Sequence, residues 1–123
     1  MAILIPKLSL KSIESMTDPL DISTTHKVDV IADPKEFGRI EITTSATKTI
    51  MPTNSLYSYV YMKLQETTNT TDYITVSIGV TSDVRLRLGE FFFLPLIGSK
   101  EVKAIAVGGT CKVEYGYWSR STA

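Results

Sequence analysis

The chain has 123 residues, with 13 basic and 13 acidic side chains that cancel to zero formal charge, and one cysteine. The length suits a single domain, and the neutral balance argues against a general electrostatic attraction to nucleic acid or anionic membrane. One cysteine cannot form an internal disulfide, which excludes the framework of a small disulfide-rich secreted domain. We therefore expect a domain that folds on its own apolar core.

The apolar segments do not resemble targeting or membrane signals. Residues 1–10 are interrupted by Pro6 and Lys7 and lack a basic leader, whereas a signal peptide has a longer apolar run after basic residues. The apolar run 91–97 contains Pro95 and falls far short of the roughly 20 residues of a membrane span. We expect a soluble protein made in a cytoplasm, with neither a membrane nor nucleic acid as partner.

The N-terminal segment has a pattern that suits an arm. Ile3, Leu4 and Ile5 precede Pro6, and proline cannot donate to a strand ladder, so a strand interrupted there belongs at a sheet edge or in an arm. Residues 9–16 have room for one helical turn at most. The arm is followed by a segment in which alternation of apolar and polar residues resumes.

This change divides the chain into two parts. We assign residues 1–26 to an N-terminal arm or edge segment, and residues 27–123 to one β-sandwich domain. From residue 39 onward the period is two in nearly every segment, which is typical of half-buried strands. The predicted strands cover 39–42, 56–62, 74–80, 84–88, 102–106 and 111–117.

Turn residues separate these strands. The two-residue links Gly89-Glu90 and Gly108-Gly109 predict tight hairpins, because glycine adopts positive φ without strain. A short turn is expected at 81–83. Short strands with turns at this spacing predict an all-β fold, an antiparallel β-sandwich or jelly roll. The predicted inner side chains are Ile40, Ile42, Val60, Met62, Ile74, Val76, Ile78, Leu86, Leu88, Phe92, Leu94, Val102, Ala104, Val113 and Tyr115.

The residues that carry catalytic or metal chemistry are sparse. His26 is the only histidine, so a triad or a site with two histidines is not available. Asp21, Asp29 and Asp33 lack the spacing of a calcium loop. Cys111 alternates with inward-facing residues and is expected to be a buried, unreactive thiol. We predict no enzyme activity, no cofactor and no metal.

Two basic residues form a second candidate surface. Arg85 and Arg87 flank Leu86 and project from one face of their strand. Together with Lys48 and Lys63 they could contact phosphate or a carboxylate surface. Alternatively, they keep the strand soluble and discourage edge pairing.

The tyrosines of residues 56–62 are the most unusual feature. Strict alternation places Tyr57, Tyr59 and Tyr61 on one face of a strand whose other face is apolar, so both faces need cover. Three explanations stay open. The rings form a platform for sugars, they contact another protein subunit, or they pack under the N-terminal arm of the same chain.

The C-terminal half resembles small virion structural proteins of tailed bacteriophages. The resemblance runs from Leu56 to Trp118, through "LYSYVYMKLQETTNTTDYITVSIG", "LRLGEFFFLPL" and "VKAIAVGGTCKVEYGYW". It is carried by a "D-Y-I-T-V" strand, an "L-x-x-G-E-F-x-x-x-P-L" hairpin, and a final "C-x-V-E-Y" strand. Residues 1–38 take no part in it.

The resemblance implies a β-sandwich located in the virion and assembled in the host cytoplasm. Its members are commonly head decoration or cement proteins, and sometimes tail, fibre or head-completion components. The resemblance also implies that the partner is the major capsid protein or another virion protein, and that the chain forms a homo-oligomer, often a trimer. The candidate interface is then Tyr57, Tyr59, Tyr61, Arg85, Arg87, Ile3, Leu4 and Ile5. A carbohydrate-binding module that uses the tyrosines is the alternative from a different class.

Overall fold

The computed structural model describes residues 2–11, 21–30, 36–54, 56–97 and 100–120. Within these ranges the protein is all-β and every paired strand is antiparallel. The strands are β1 (Ala2–Leu4), β2 (Lys7–Lys11), β3 (Asp21–Thr25), β4 (Val28–Val30), β5 (Glu36–Ile42), β6 (Lys48–Met51), β7 (Tyr57–Thr67), β8 (Tyr73–Ile78), β9 (Thr81–Arg87), β10 (Phe91–Pro95), β11 (Val102–Val107) and β12 (Cys111–Ser119).

Strands β5 to β12 form a sandwich of two four-stranded sheets. The first sheet has the order β10-β7-β12-β5, and the second has the order β6-β11-β8-β9. Numbered along the chain from β5, the first sheet contains strands one, eight, three and six, and the second contains strands two, seven, four and five. This is the strand order of a jelly roll, so the predicted all-β sandwich fold is confirmed.

One apolar core lies between the two sheets. Val60, Met62 and Leu64 of β7 alternate inward and are fully buried, and Ile74 and Val76 of β8 face them from the second sheet. This spacing follows from the two-residue period of a strand, which brings alternate side chains to the same face. The predicted inner residues lie in this core or against it, with one exception.

Leu88 is that exception. Its side chain is 49% exposed, because β9 ends at Arg87 and Leu88 lies in the turn that follows. The predicted strand ran one residue too far, so the prediction that Leu88 is buried is wrong. Alternation determines which side chains are buried only within a strand.

The hairpins predicted at Gly89-Glu90 and Gly108-Gly109 are wrong, because these links do not join neighbouring strands of one sheet. Gly89 and Gly108 have φ of 86° and 99°, as expected for glycine turns. However, β9 and β11 belong to the second sheet, whereas β10 and β12 belong to the first. These links therefore carry the chain between sheets. The true hairpin turn between β8 and β9 lies at Gly79 and Val80, and residues 81–83 already belong to β9.

The N-terminal strands form one long two-stranded ribbon. β1 pairs with β4, β2 pairs with β3, and Ala2↔Val30 and Lys11↔Asp21 lie in the same continuous register. The ladder is interrupted where Pro6 has no N–H to donate, yet the His26 amide still donates to the Pro6 carbonyl at 3.2 Å. The helical turn expected within 9–16 is wrong for residues 9–11, which belong to β2. The rest of it lies outside the described residues.

No helix in the part of the chain that the structure describes is long and apolar enough to cross a membrane.

A matched pair of leucine substitutions tests where the core lies. Leu64→Ala should lower the free energy of unfolding by about 2–5 kcal/mol, because it leaves a cavity in a fully buried site. Leu88→Ala, at a half-exposed turn, should change it by less than about 0.5 kcal/mol. Urea unfolding followed by circular dichroism measures both. Equal losses would contradict the burial described for these side chains.

Candidate binding surface

A β-bulge in β7 separates Tyr57 from Tyr59 and Tyr61. Trp118 pairs with Tyr59 but the next residue, Ser119, pairs with Tyr57, so β7 has Ser58 as an extra residue at this point. An extra residue reverses the facing of everything beyond it. The prediction that Tyr57, Tyr59 and Tyr61 share one face is therefore wrong.

Tyr57 turns inward at the bulge. Its ring packs against the sandwich core and lies 4.8 Å from the ring of Tyr117, centroid to centroid. The Tyr117 hydroxyl donates to Glu36 at 3.1 Å. Burial, this hydrogen bond and the nearby carboxylate charge raise the pKa of Tyr117 to about 12. Tyr57 thus packs in the core and is not part of a tyrosine surface on the outer face.

The outer side of the first sheet has an aromatic surface, which we call the aromatic face. Tyr59 stacks on Phe93 at 5.8 Å, and Phe93 also lies 6.3 Å from Trp118, again between ring centroids. Phe37 and Tyr61 stack in parallel at 6.5 Å. These five rings come from all four strands of the sheet. Aromatic packing thus covers a face that is usually polar when a sheet is open to water.

Gly116 makes room for this arrangement. It lies in register between Phe37 of β5 and Tyr61 of β7. A Cβ atom added there would lie 2.7 Å from the Phe37 ring and 3.2 Å from Trp118. Without a side chain at this position, the two neighbouring rings can approach each other across β12.

The proximal part of the ribbon, which comprises β1 and β4, covers the part of the aromatic face around Tyr59 and Trp118, whereas Phe37 stays 55% exposed. Leu4, Val28 and Val30 pack on the cluster formed by Tyr59 and Trp118. As a result Tyr59 is only 6% exposed and Trp118 only 8%. Of the three explanations for the tyrosine strand, packing under the N-terminal segment is the arrangement observed for Tyr59.

The other two predicted residues of the arm have a different environment. Ile3 and Ile5 lie on the opposite side of the ribbon from Leu4, and they are 61% and 53% exposed. The alternation of a strand explains this, because odd and even residues point to opposite faces. Leu4 thus contributes to the fold, whereas Ile3 and Ile5 present apolar surface to solvent.

Tyr61 joins the aromatic face to a polar group beside it. Its hydroxyl donates to Glu114 at 2.9 Å, and the other carboxylate oxygen of Glu114 lies 3.9 Å from the Arg39 guanidinium. Burial, followed by the hydrogen bond and charge of Glu114, raises the pKa of Tyr61 to about 12. The phenol is therefore held as a neutral donor and is unsuited to act as a base near neutral pH.

The distal ribbon, which comprises β2 and β3, is open to solvent in the part of the chain that the structure describes. All ten of its residues are exposed. Its register places Leu8, Leu10 and Ile22 on the face that continues the Leu4 and Val28 face, and these side chains are 42%, 45% and 44% exposed. The ribbon thus presents an apolar face that the described residues leave largely uncovered.

Two clefts lie where the ribbon crosses β10. The larger has a volume of about 350 Å³ and is lined by Pro6, Leu8 and Thr24 of the ribbon and by residues 91–93. The smaller, about 250 Å³, lies between Leu4 and the aromatic face. Their linings are mainly apolar, so the ribbon and β10 are close without being fully packed together.

The predicted basic group is not assembled in the structure. Arg85 and Arg87 do share a face, and their guanidinium carbons lie 4.3 and 5.4 Å from the centre of the Tyr73 ring. Lys63 belongs to the first sheet, and Lys48 lies on the opposite edge of the second sheet from β9. The two arginines therefore pack on the Tyr73 ring, and they do not form one basic surface with Lys48 and Lys63.

The remaining candidate residues lie apart from the aromatic face. Cys111 is buried, as predicted, and burial together with the charge of Asp72 raises the pKa of its thiol. His26 lies on the ribbon with Asp21 and Asp29, and Asp33 is outside the described residues. No group of three His, Cys, Asp or Glu side chains suited to a metal occurs among the described residues.

Sequence reasoning missed Phe37, Phe93 and Trp118 as members of this surface. Phe93 follows Phe92 and Trp118 follows Tyr117, and Phe92 and Tyr117 face the core. Strand alternation therefore places Phe93 and Trp118 on the outer face. The signal that the outer face would be aromatic was the presence of outward rings at alternate positions in two strands, Tyr59 and Tyr61 in β7 and Phe91 and Phe93 in β10.

Comparison with known proteins adds no relative: no family model, no curated protein and no solved structure matches this chain.

Alkaline titration tests the contact between Tyr61 and Glu114. The unfolded tyrosine releases its proton near pH 10.0, whereas the folded one retains it to about 12. The stability from this contact should be complete below pH 10 and lost as pH rises to 12, because the folded state binds the proton more tightly. Glu114→Gln keeps an acceptor without the charge and should lower the pKa of Tyr61. Absorbance at 295 nm measures it, with Tyr61→Phe identifying the signal. An unchanged titration in Glu114→Gln would contradict this contact.

Proposed function

We propose that this protein is a structural protein of a phage particle that binds neighbouring protein subunits through its distal ribbon. The observation that supports a binding role is the uncovered apolar face of Leu8, Leu10 and Ile22. The phage context depends on the resemblance of residues 56–118 to small virion proteins. A decoration or cement protein on the major capsid protein is the specific role that this resemblance favours.

The arrangement of the ribbon supports binding to a protein surface. A two-stranded ribbon isolated in water is only marginally stable. Here the proximal half is held on the sandwich by Leu4, Val28 and Val30, and the same ladder continues into the distal half. The sandwich therefore orders a projecting ribbon whose apolar face can insert into a groove of another subunit. Apolar patches that project from a folded domain commonly mark such interfaces.

The energetic role of a cement protein follows from linkage. A protein that binds the assembled shell more tightly than free subunits stabilises the shell by its binding free energy. No catalytic group is needed for this role. The small, neutral domain with one projecting ribbon is suited to it, because the ribbon can reach across a junction while the sandwich remains outside.

The carbohydrate alternative loses its main support. Its platform required three exposed tyrosines on one face, but Tyr57 faces the core and Tyr59 lies under the ribbon. A jelly roll itself is compatible with lectins as well as capsid proteins, so the fold does not choose between them. The virion role is therefore the function that we propose.

A charge placed on either face of the distal ribbon tests the proposal. Leu10→Lys should reduce binding to particles that lack the protein by about tenfold or more, because a lysine cannot be buried in an apolar groove without cost. Ser9→Lys adds the same charge on the opposite face of the same strand and should bind as the original chain does. Co-sedimentation of purified protein with particles gives the bound fraction. Equal binding by both variants would exclude the Leu10 face as the contact.

Particle stability gives a second readout. Particles without this protein should release their genome at a lower temperature, and adding the original chain should restore the higher value. Leu10→Lys should restore it poorly. A genome-release temperature that is the same with and without the protein would count against the cement role.

A further inference from the structure

Strand β10 is an edge of the first sheet with backbone groups that face outward. It pairs with β7 alone. Just before β10, the carbonyl of Glu90 accepts from the Leu64 amide of β7 at 3.0 Å. Just after it, the Leu96 amide donates to the Ser58 carbonyl at 2.7 Å. Even-numbered residues of this strand therefore direct their backbone groups toward β7.

The odd-numbered residues direct their backbone groups away from the sheet, because the direction alternates along an antiparallel strand. Phe91 and Phe93 thus each present an N–H and a carbonyl at the free edge. Neither has a backbone partner on that side among the described residues. Pro95 also faces outward, where its missing N–H costs no hydrogen bond and ends the stretch that can be paired.

The other edges of the sandwich carry charges, which are a common defence against edge pairing. In the described part of the chain, β10 alone among the four edge strands has no charged residue. The charged residues of the other edges are Glu36, Arg39 and Glu41 in β5, Lys48 in β6, and Asp83, Arg85 and Arg87 in β9. Two β10 edges can therefore meet without burying or opposing any charge, whereas each of the other edges would bring at least one charged residue into such a contact.

The side-chain surroundings of this edge also suit a second strand. Phe91 is 59% exposed on the outer side of β10. Above it lies the cleft of about 350 Å³ lined by Pro6, Leu8 and Thr24. An aromatic side chain that arrived beside β10 on this side would enter an apolar space already formed by the ribbon.

We propose that a second copy of this chain occupies the edge, with the two β10 strands paired antiparallel about a two-fold axis at Phe92. In this register Phe91 lies opposite Phe93 of the partner subunit. Each copy supplies two outward N–H groups, those of Phe91 and Phe93, so the pairing makes two plus two, or four, backbone hydrogen bonds. It also places an aromatic pair on each side of the axis.

This contact gives a dimer, because one strand paired antiparallel with itself generates a two-fold axis. The resemblance to phage proteins implied trimers instead, so the two ideas differ in a measurable way. The dimer inference does not depend on the virion role. Of the distal residues proposed to bind another subunit, Leu10 and Ile22 take no part in it, whereas Leu8 lines the cleft beside β10.

Substitutions at Phe91 test the pairing. Phe91→Pro removes one outward N–H from each copy at a position where an edge strand tolerates proline. It should raise the dimer dissociation constant by about tenfold or more. Phe91→Thr retains the N–H and should have a smaller effect. Val80→Lys, at a hairpin tip where the side chain is 99% exposed, should leave the constant unchanged. Sedimentation equilibrium over a concentration series measures all four chains.

Hydrogen exchange on the original chain gives an independent test. The amides of Phe91 and Phe93 should exchange more slowly as protein concentration rises, whereas the Val80 amide should not change. A chain that stays monomeric at millimolar concentration would overturn the inference. So would a dimer or trimer whose dissociation constant is the same in Phe91→Pro and Phe91→Thr as in the original chain. Concentration-dependent protection of Phe91 and Phe93 alone supports it even if Phe91→Pro does not fold.

Discussion

The pairing of β12 between β7 and β5 is the interaction on which both surfaces of the first sheet depend. Val113, Tyr115 and Tyr117 face the sandwich core from β12, and Trp118 faces the ribbon. A single strand thus contributes to the apolar interior and to the anchor of the N-terminal ribbon. The bulge at Ser58 adjusts this pairing at one end. Without it, Tyr57 would add another ring to the outer face and leave the core.

The sequence predicted strands well because burial on one face requires a period of two. It predicted the all-β class for the same reason, and every predicted inner residue except Leu88 lies in or against the core, although Ile50, Met51 and Leu64 were missed. It did not predict which sheet each strand joins, since a strand of the first sheet has the same alternation as a strand of the second. The links at Gly89 and Gly108 show the limit: local turn chemistry fixes φ, while long-range packing decides whether the chain folds back or crosses over.

The candidate surface was only partly predictable. Tyr59 was predicted to need cover and Leu4 to belong to an arm, and the two residues lie in the same apolar cluster in the structure. The bulge that turns Tyr57 inward has no signature in the local sequence, since Ser58 is a residue that strands accept without one. The ribbon was seen as an arm but not as a paired element. Its register depends on residues about 20 positions apart, which alternation alone cannot match.

The position of β12 also has a consequence for the order of folding. β12, an inner strand of the first sheet, follows all the other described strands in sequence, so β5 has no neighbour in that sheet until residues 111–119 have been synthesised. The ribbon strands, by contrast, lie within residues 2–11 and 21–30 and pair with one another, apart from a single bridge between Val30 and Arg120. Such long-range closure makes a jelly roll slow to fold. A nascent chain would therefore expose its unpaired strands, together with the Leu4, Val28 and Val30 side chains that pack near Trp118, until residues 111–119 have been made. During that time it would depend on rapid completion of these strands or on chaperones.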